Sequence, residues 1–273
     1  MVWQELRKSY LLLSILKTLA IIGSNGMLGS SLVRYFSEYL QVTAIHKGNY
    51  DSNIGKTFDI LLNANGNSKR FWANKNPQDD FLASTVSVYQ SIFDFSCERY
   101  IYISSPDVYE DHASPDYTKE NQEIDPRNLQ PYGFNKYLAE LIVKKYRKKY
   151  LILRSSMMLG ADLKKGPFYD IVHSNPLFVT SETRLQLIST HALAEIVKTL
   201  LEKQVLNAVL NVGGIGTFAF AKIKNYFNKN IHMSPNAEKQ IYEMSVEKIK
   251  RLYPALKTSE EYLRDFLKDY LQE

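Results

Sequence analysis

The sequence predicts an α/β protein, a doubly wound parallel sheet with a small C-terminal lobe, and three observations predict it. Apolar runs of strand length alternate with longer segments of helical periodicity, the pattern of strands covered by helices on both faces. The first such run, "LAII", passes through Gly23, Gly26 and Gly29 directly into helical spacing. A chain of 273 residues, 45% of them hydrophobic, is long enough for one large core with an appended lobe.

Taken in order, the strands are expected at 19–22, 42–45, 60–63, 100–104, 150–154 and 209–212, each a short Val/Ile/Leu/Tyr-rich run bounded by turn residues. Helices are expected at 27–39, 78–95, 134–146, 191–203, 218–226 and 259–272, from apolar residues recurring at three and four. No internal repeat or low-complexity linker divides the chain, so residues 18–273 are expected to form one unit. Its sheet core spans about 18–155 plus 187–213, and its lobe about 156–186 and 214–273. Residues 1–17 read as an amphipathic N-terminal extension: Lys17 interrupts the apolar run and no small-residue cleavage site follows.

Composition narrows the class of function. An excess of 34 Lys+Arg over 29 Asp+Glu gives +5, but the basic residues are scattered, as on solvated helix faces, and no nucleic-acid partner is expected. Cys97 is the single cysteine, which excludes an internal disulfide and a Cys-based zinc cluster and fits a reducing compartment; it reads as a buried structural thiol. No run reaches the roughly 18 apolar residues of a membrane span, so a cytoplasmic protein is expected.

The stretch "LAIIGSNGMLGSSLVRYF" carries the first chemical signal. A buried strand turning at Gly23, a backbone bare of side chain at Gly26 and close packing at Gly29 would present free helix-tip N–H groups to a pyrophosphate, as in Rossmann-type dinucleotide folds. The spacing is G-x-x-G-x-x-G, and alone it does not distinguish such a site from an ordinary glycine-rich turn. The second signal is "PYGFNK", with Tyr132 and Lys136 four residues apart on one helix face. A tyrosine with a pKa of roughly 10 is a poor base at neutral pH, and a nearby ammonium is expected to bring it down so that it can relay a proton to or from an alcohol oxygen. The third is "YIYISSPDVYE", a strand ending in Ser104 and Ser105, where parallel strands deliver their C-terminal ends to a ligand crevice.

In this order the three motifs resemble the extended short-chain dehydrogenase/reductase family, the NAD(P)-dependent epimerase/dehydratase group that acts on nucleotide sugars. "DILLNANG", "NPQDDFLAS", "LILRSSMMLG", "VLNVGG" and the closing "SVEKIKRLYPALKTSEEYLRDFL" are similar to further family segments, so the resemblance runs from Leu19 onward. It implies a cofactor site at Gly23, Asn25, Gly26, Met27, Leu28, Gly29, His46, Lys47, Asn63, Ala64, Asn65 and Gly66, with Tyr132 and Lys136. It implies catalysis by Ser105, Tyr132 and Lys136, and substrate contacts from Ser105, Pro106, Asp107 and Arg184.

Departures from the family pattern refine the reading. Where NAD-selective members end the second strand with an acidic residue, this chain has His46 and Lys47, which favours NADP(H), with NAD(H) possible. Few residues separate that strand from "DILLNA", so the usual third strand is expected to be short or missing. The Asp-Glu pair of the dehydratases is replaced by Pro106-Asp107, which argues against a 4,6-dehydratase. His173 and His191 are isolated and read as structural. The leading expectation is a reductase of a keto group on a nucleotide-activated sugar; the alternatives are an epimerase that retains NAD and a non-catalytic NADP(H)-binding sensor. A homodimer is expected through the 78–95 and 134–146 helices.

Overall fold

The structure, a computed structural model, describes residues 17–67, 69–227 and 231–270; the predicted extension, apart from Lys17, lies outside the described residues. Its strands are β1 (Thr18–Ile22), β2 (Gln41–Ile45), β3 (Thr57–Asn63), β4 (Ser96–Ser104), β5 (Tyr150–Ser155), β6 (Met157–Leu159), β7 (Leu177–Val179), β8 (Arg184–Leu185), β9 (Leu187–Ser189), β10 (Ala208–Val212), β11 (Phe218–Ala219), β12 (Met233–Glu238) and β13 (Ile241–Tyr242). Its α-helices are α1 (Met27–Phe36), α2 (Arg70–Lys75), α3 (Pro77–Phe81), α4 (Ser87–Asp94), α5 (Pro131–Tyr146), α6 (Pro167–Val172), α7 (Thr190–Glu202), α8 (Glu247–Leu252) and α9 (Ser259–Tyr270).

Six strands form one parallel sheet in the order β10-β5-β4-β3-β1-β2. The order reverses between β1 and β3, and a ligand crevice in such sheets lies at the strands' C-terminal ends beside that point. Strand β1 shows why its sequence is apolar throughout. Leu19 and Ile21 pack with the α1 and α7 layer, whereas Ala20 and Ile22 pack with the α4 and α5 layer, so neither face meets water.

All six predicted strands are present. The segment between β2 and β3 holds only the 3₁₀ turn Asp51–Asn53, and β2 is the sheet's edge, as the short spacing implied. The predicted 78–95 helix begins at Pro77 and widens to a π turn over Leu82–Val86 between α3 and α4. The 134–146 helix begins earlier, at Pro131, whose missing N–H costs nothing in a first turn. The 27–39 helix stops at Phe36, and the 259–272 helix is described to Tyr270.

The predicted 218–226 helix is not one. Phe218 and Ala219 form β11, paired antiparallel with β8, and a 3₁₀ stretch follows over Phe220–Asn225. Phe218 and Phe220 pack against each other and against Phe168 in a second core built from 159–187 and 218–267. Tertiary pairing overrides local periodicity there. The strands β6 to β9, β11 and β13, of two or three residues each, went unforeseen because runs this brief carry no readable alternation, and so did the six-residue β12, MSPNAE, which is not an apolar run.

One polar link crosses the main core. Glu140 of α5 accepts hydrogen bonds from Arg154 Nε (2.9 Å) and Nη2 (2.7 Å) of β5 and from Ser104 Oγ (2.6 Å) of β4. Both charged side chains are almost wholly buried, at 0% and 2% exposure. An ion pair taken out of water this completely contributes little net stability but costs much to break on one side.

Candidate active site

The glycine turn is a backbone construction. Gly23 has φ +85°, in the left-handed region, and a Cβ there would stand 2.9–3.0 Å from the Ala64–Asn65 peptide. At Gly29 a Cβ would stand 2.0 Å from the Gly23 carbonyl oxygen, a contact no side chain tolerates. Ile45 O accepts from the N–H groups of Gly23 and Ser24, which sets His46 and Lys47 directly beside the turn. Gly26 is the N-cap of α1, no side chain caps that helix, and its first turn holds no acidic residue. The tip therefore offers unpaired N–H groups and the positive end of a helix dipole. Ser24 Oγ, buried in the same turn, has no hydrogen-bond partner among the described residues.

Of the predicted cofactor residues, several act through main chain or position. The Leu28 side chain belongs to the core, and Met27 packs against the second core, while Asn25 is exposed at the tip. Asn63 is turned inward: its Nδ2 donates to Ser91 Oγ (3.1 Å) and Tyr100 Oη (2.9 Å), and its Oδ1 accepts from Asn65 N–H (2.9 Å). It holds the Ala64–Gly66 turn in place, where direct ligand contact was expected. His46 Nδ1 accepts from Gly48 N–H (3.1 Å), so the ring proton of the neutral form sits on Nε2; Lys47 is exposed. Gly66, at φ +135°, runs past Lys136, whose Nζ would lie 3.1 Å from a Cβ there. The glycine turn and the Tyr/Lys pair thus line one crevice.

At its other end, β4 runs into a 3₁₀ turn, Pro106–Val108, seated on the first turn of α5. Gly133 permits the contact, since a Cβ there would lie 1.9 Å from Asp107 O. Asn74 Oδ1 accepts from Tyr132 N–H (3.0 Å), tying α2 to the same turn. The Ser105 hydroxyl faces the Tyr132 phenol and donates to Asp107 Oδ2 (2.7 Å). Burial, then the charge of Asp107, push the Tyr132 phenol well above the usual tyrosine value. In the protein alone, Lys136 is not among the main influences on it, so the ammonium by itself does not bring the phenol down. Lys136 is itself buried and donates to Ile103 O (3.1 Å); burial pushes it down to about 8 against the opposing charges of Asp80, Glu140 and Asp107.

Of the predicted substrate residues, Pro106 is buried and Asp107 is already engaged. Asp107 Oδ1 accepts from Tyr242 Oη (2.9 Å) and lies 3.5 Å from Arg70 Nη1. Arg184 does not join them. It sits on β8 with its side chain exposed and makes no contact with Ser105, Asp107 or Tyr132 among the described residues. The cation at this corner is Arg70. Reading the sequence missed Arg70, Asn74, Asp80 and Tyr242, which arrive from remote segments. Glu140 could have been found: Tyr132, Lys136 and Glu140 recur every four residues on one buried helix face.

Comparison with known proteins agrees with this geometry. A model of the NAD dependent epimerase/dehydratase family matches residues 19–174, more than half of the chain. The chain belongs to that family of enzymes. No curated protein matches it. Among solved structures, a UDP-galactose 4-epimerase superposes with a TM-score of 0.76 at 17% identity, covering 93% of this chain and 99% of its own. A dTDP-4-dehydrorhamnose reductase from Bacillus anthracis str. Ames, in complex with NADP, superposes with a TM-score of 0.73 at 16% identity, covering 93% and 98%. A UDP-glucuronic acid 4-epimerase from Bacillus cereus, in complex with UDP-glucuronic acid and NAD, gives 0.72 at 17% identity, covering 92% and 99%. At these identities the likeness is one of fold. The glycine cradle, the uncapped helix tip and the orphaned Ser24 hydroxyl fit the dinucleotide that the family's name implies.

Proposed function

We propose that this enzyme reduces a keto group on a nucleotide-activated sugar. The backbone N–H groups of Met27, Leu28 and Gly29 would hold the dinucleotide's pyrophosphate, Asn25 and the 64–66 turn would flank it, and Lys136 would hold the ribose beside the nicotinamide. When bound, the dinucleotide supplies the hydride. Tyr132 donates its proton to the oxygen of the carbonyl as the carbon is reduced, and Ser105 orients that oxygen.

What supports this reading over epimerisation is the burial of Tyr132 near Asp107, which favours the protonated phenol. A phenol raised by burial and by a neighbouring carboxylate carries its proton at neutral pH, the state in which a reduction needs it. Reduction asks it to give a proton, whereas the first half of an epimerase cycle asks it to take one. His46 and Lys47 beside the glycine turn support NADP(H) over NAD(H), since a carboxylate in their place would repel a 2′-phosphate. The sensor alternative is disfavoured by a Tyr132/Ser105/Lys136 set that is intact and buried.

The homodimer is proposed on the exposed faces of α3 to α5. Leu82 is 54% and Phe93 58% exposed, and Phe93 clusters with Tyr89 and Tyr146 on the same surface. Among the described residues no helix is long and apolar enough to cross a membrane.

Incubation with NADPH and a panel of 4-keto nucleotide sugars tests the reading. Stoichiometric loss of NADPH absorbance, abolished by Tyr132→Phe, is the expected result. Copurified NAD with interconversion of two sugar epimers and no net cofactor turnover would replace this reading with the epimerase.

A further inference from the structure

Asp107 and Arg70 reach the Tyr132 corner from different parts of the chain, and nothing in the reaction proposed above requires either. Asp107 stands on the turn after β4, Arg70 opens α2, and Arg70 also spans to the C-terminal lobe. Its Nη2 donates to Gln240 Oε1 (3.1 Å) and its guanidinium lies 4.7 Å from the centroid of the Tyr242 ring. Tyr242 is backed by His112, stacked at 3.8 Å, and donates its own hydroxyl proton to Asp107. The carboxylate is thus fixed by three donors: Ser105 and Tyr242 through hydroxyls and Arg70 through charge. A hydroxyl has one proton. While Ser105 gives its own to Asp107, it has only lone pairs to offer Tyr132.

We propose that Asp107 and Arg70 are a pair of positioning residues of opposite charge that together set the proton affinity of Tyr132, acting through Ser105 and through space. The inference rests on Tyr132 being the acid/base group. Other charged and titratable groups facing it are Asp80 from α3, Lys136 and Glu140 from its own helix, Tyr102 from β4 and Tyr242 from β13. Asp107 itself is hydrogen-bonded to the serine that faces the phenol, and its charge raises the phenol while that of Arg70 lowers it. With the charge of Asp107 shielded by Arg70, the phenol stays protonated yet within reach of lowering when a cationic ring alters the local field.

Two substitutions separate this from a structural role. Asp107→Asn keeps the side-chain shape and the acceptor for Tyr242 while removing the charge, and it turns a donor toward Ser105. Arg70→Met removes the cation from a side chain that is about one-third exposed at 32%. A polyfluorinated tyrosine, whose more acidic phenol titrates in an accessible range, is incorporated at position 132 in the full chain and followed by fluorine NMR against pH. Asp107→Asn is expected to lower the midpoint by about one pH unit and Arg70→Met to raise it. Loosening of the site would admit water and lower the midpoint in both variants, because burial is the largest cause of the upward shift. Opposite signs therefore report charge. Shifts of the same sign, or none in either variant, overturn the inference. The titration needs neither dinucleotide nor sugar, so its failure is distinct from a failure of keto-sugar reduction.

Discussion

The two ends of the crevice are built from different material. The glycine turn is main chain pressed against main chain, with Gly23 against the Ala64–Asn65 peptide and Gly29 against the Gly23 carbonyl. The hydroxyl corner is side chain against side chain, with Ser105, Tyr132, Asp107, Tyr242 and Arg70 drawn from four segments. The first therefore tolerates no added atom, and the second tolerates shape-preserving changes but responds to charge. Steric demands fall off within a fraction of an ångström, whereas charge acts over several.

The sharpest way to break the comparison is at Gly29. Gly29→Ala places a methyl 2.0 Å from a carbonyl oxygen, so α1 must retreat from the turn. We expect dinucleotide binding, followed by fluorescence quenching, to be lost and stability to fall by about 3 kcal/mol or more. A variant that binds normally would show that the turn is as adaptable as the corner.

Second comes the buried pair behind the corner. Glu140→Gln leaves the Arg154 charge buried and unpaired, and a loss of about 3–5 kcal/mol is expected from urea unfolding. Replacing both residues by methionine is expected to recover most of it.

Tyr132→Phe removes one oxygen from the corner and is expected to cost about 10²–10⁴-fold in turnover with dinucleotide affinity little changed. Loss of affinity on the same scale would place the phenol in binding instead of proton transfer.

The effect of pH at Lys136 is smaller and its sign follows from burial. Its folded value, about 8, lies below its ordinary value of 10.5, so the unfolded chain binds more protons between them. Stability is therefore lowest, on this account, below pH 8 and rises from pH 8 toward 10.5, by at most about 1.4 kcal/mol per pH unit. Lys136→Met is expected to flatten that slope in unfolding experiments across this window. Dinucleotide affinity in the unsubstituted enzyme should weaken over the same range as the ammonium is lost.

The smallest effect is expected at Gly55, which shares the left-handed backbone of Gly23 (φ +85°) but has open space where a Cβ would point. Gly55→Ala should cost only about 1 kcal/mol in thermal unfolding, with cofactor binding intact. Conformation alone would then be separated from crowding.

What could be read in the chain follows the same division. The six-stranded sheet, the missing outer strand, the glycine turn and the Tyr132/Lys136/Ser105 set were legible because each rests on local pattern: apolar runs of strand length, glycine spacing, or two side chains one helical turn apart. The helix expected at 218–226 failed where local pattern competed with pairing to β8 and with the Phe168–Phe218–Phe220 cluster.

The amino-acid sequence by itself determined the fold class, the family and the placing of Tyr132 and Lys136 one helical turn apart, since these depend on contacts between neighbours along the chain and on periodicities that survive without tertiary context. Only the tertiary structure decided which charges surround Tyr132, that burial raises its phenol in the protein alone, and that Arg70 stands against the neighbouring Asp107. Burial and long-range electrostatics arise from segments that meet only when the chain has folded, and no spacing along the sequence encodes them.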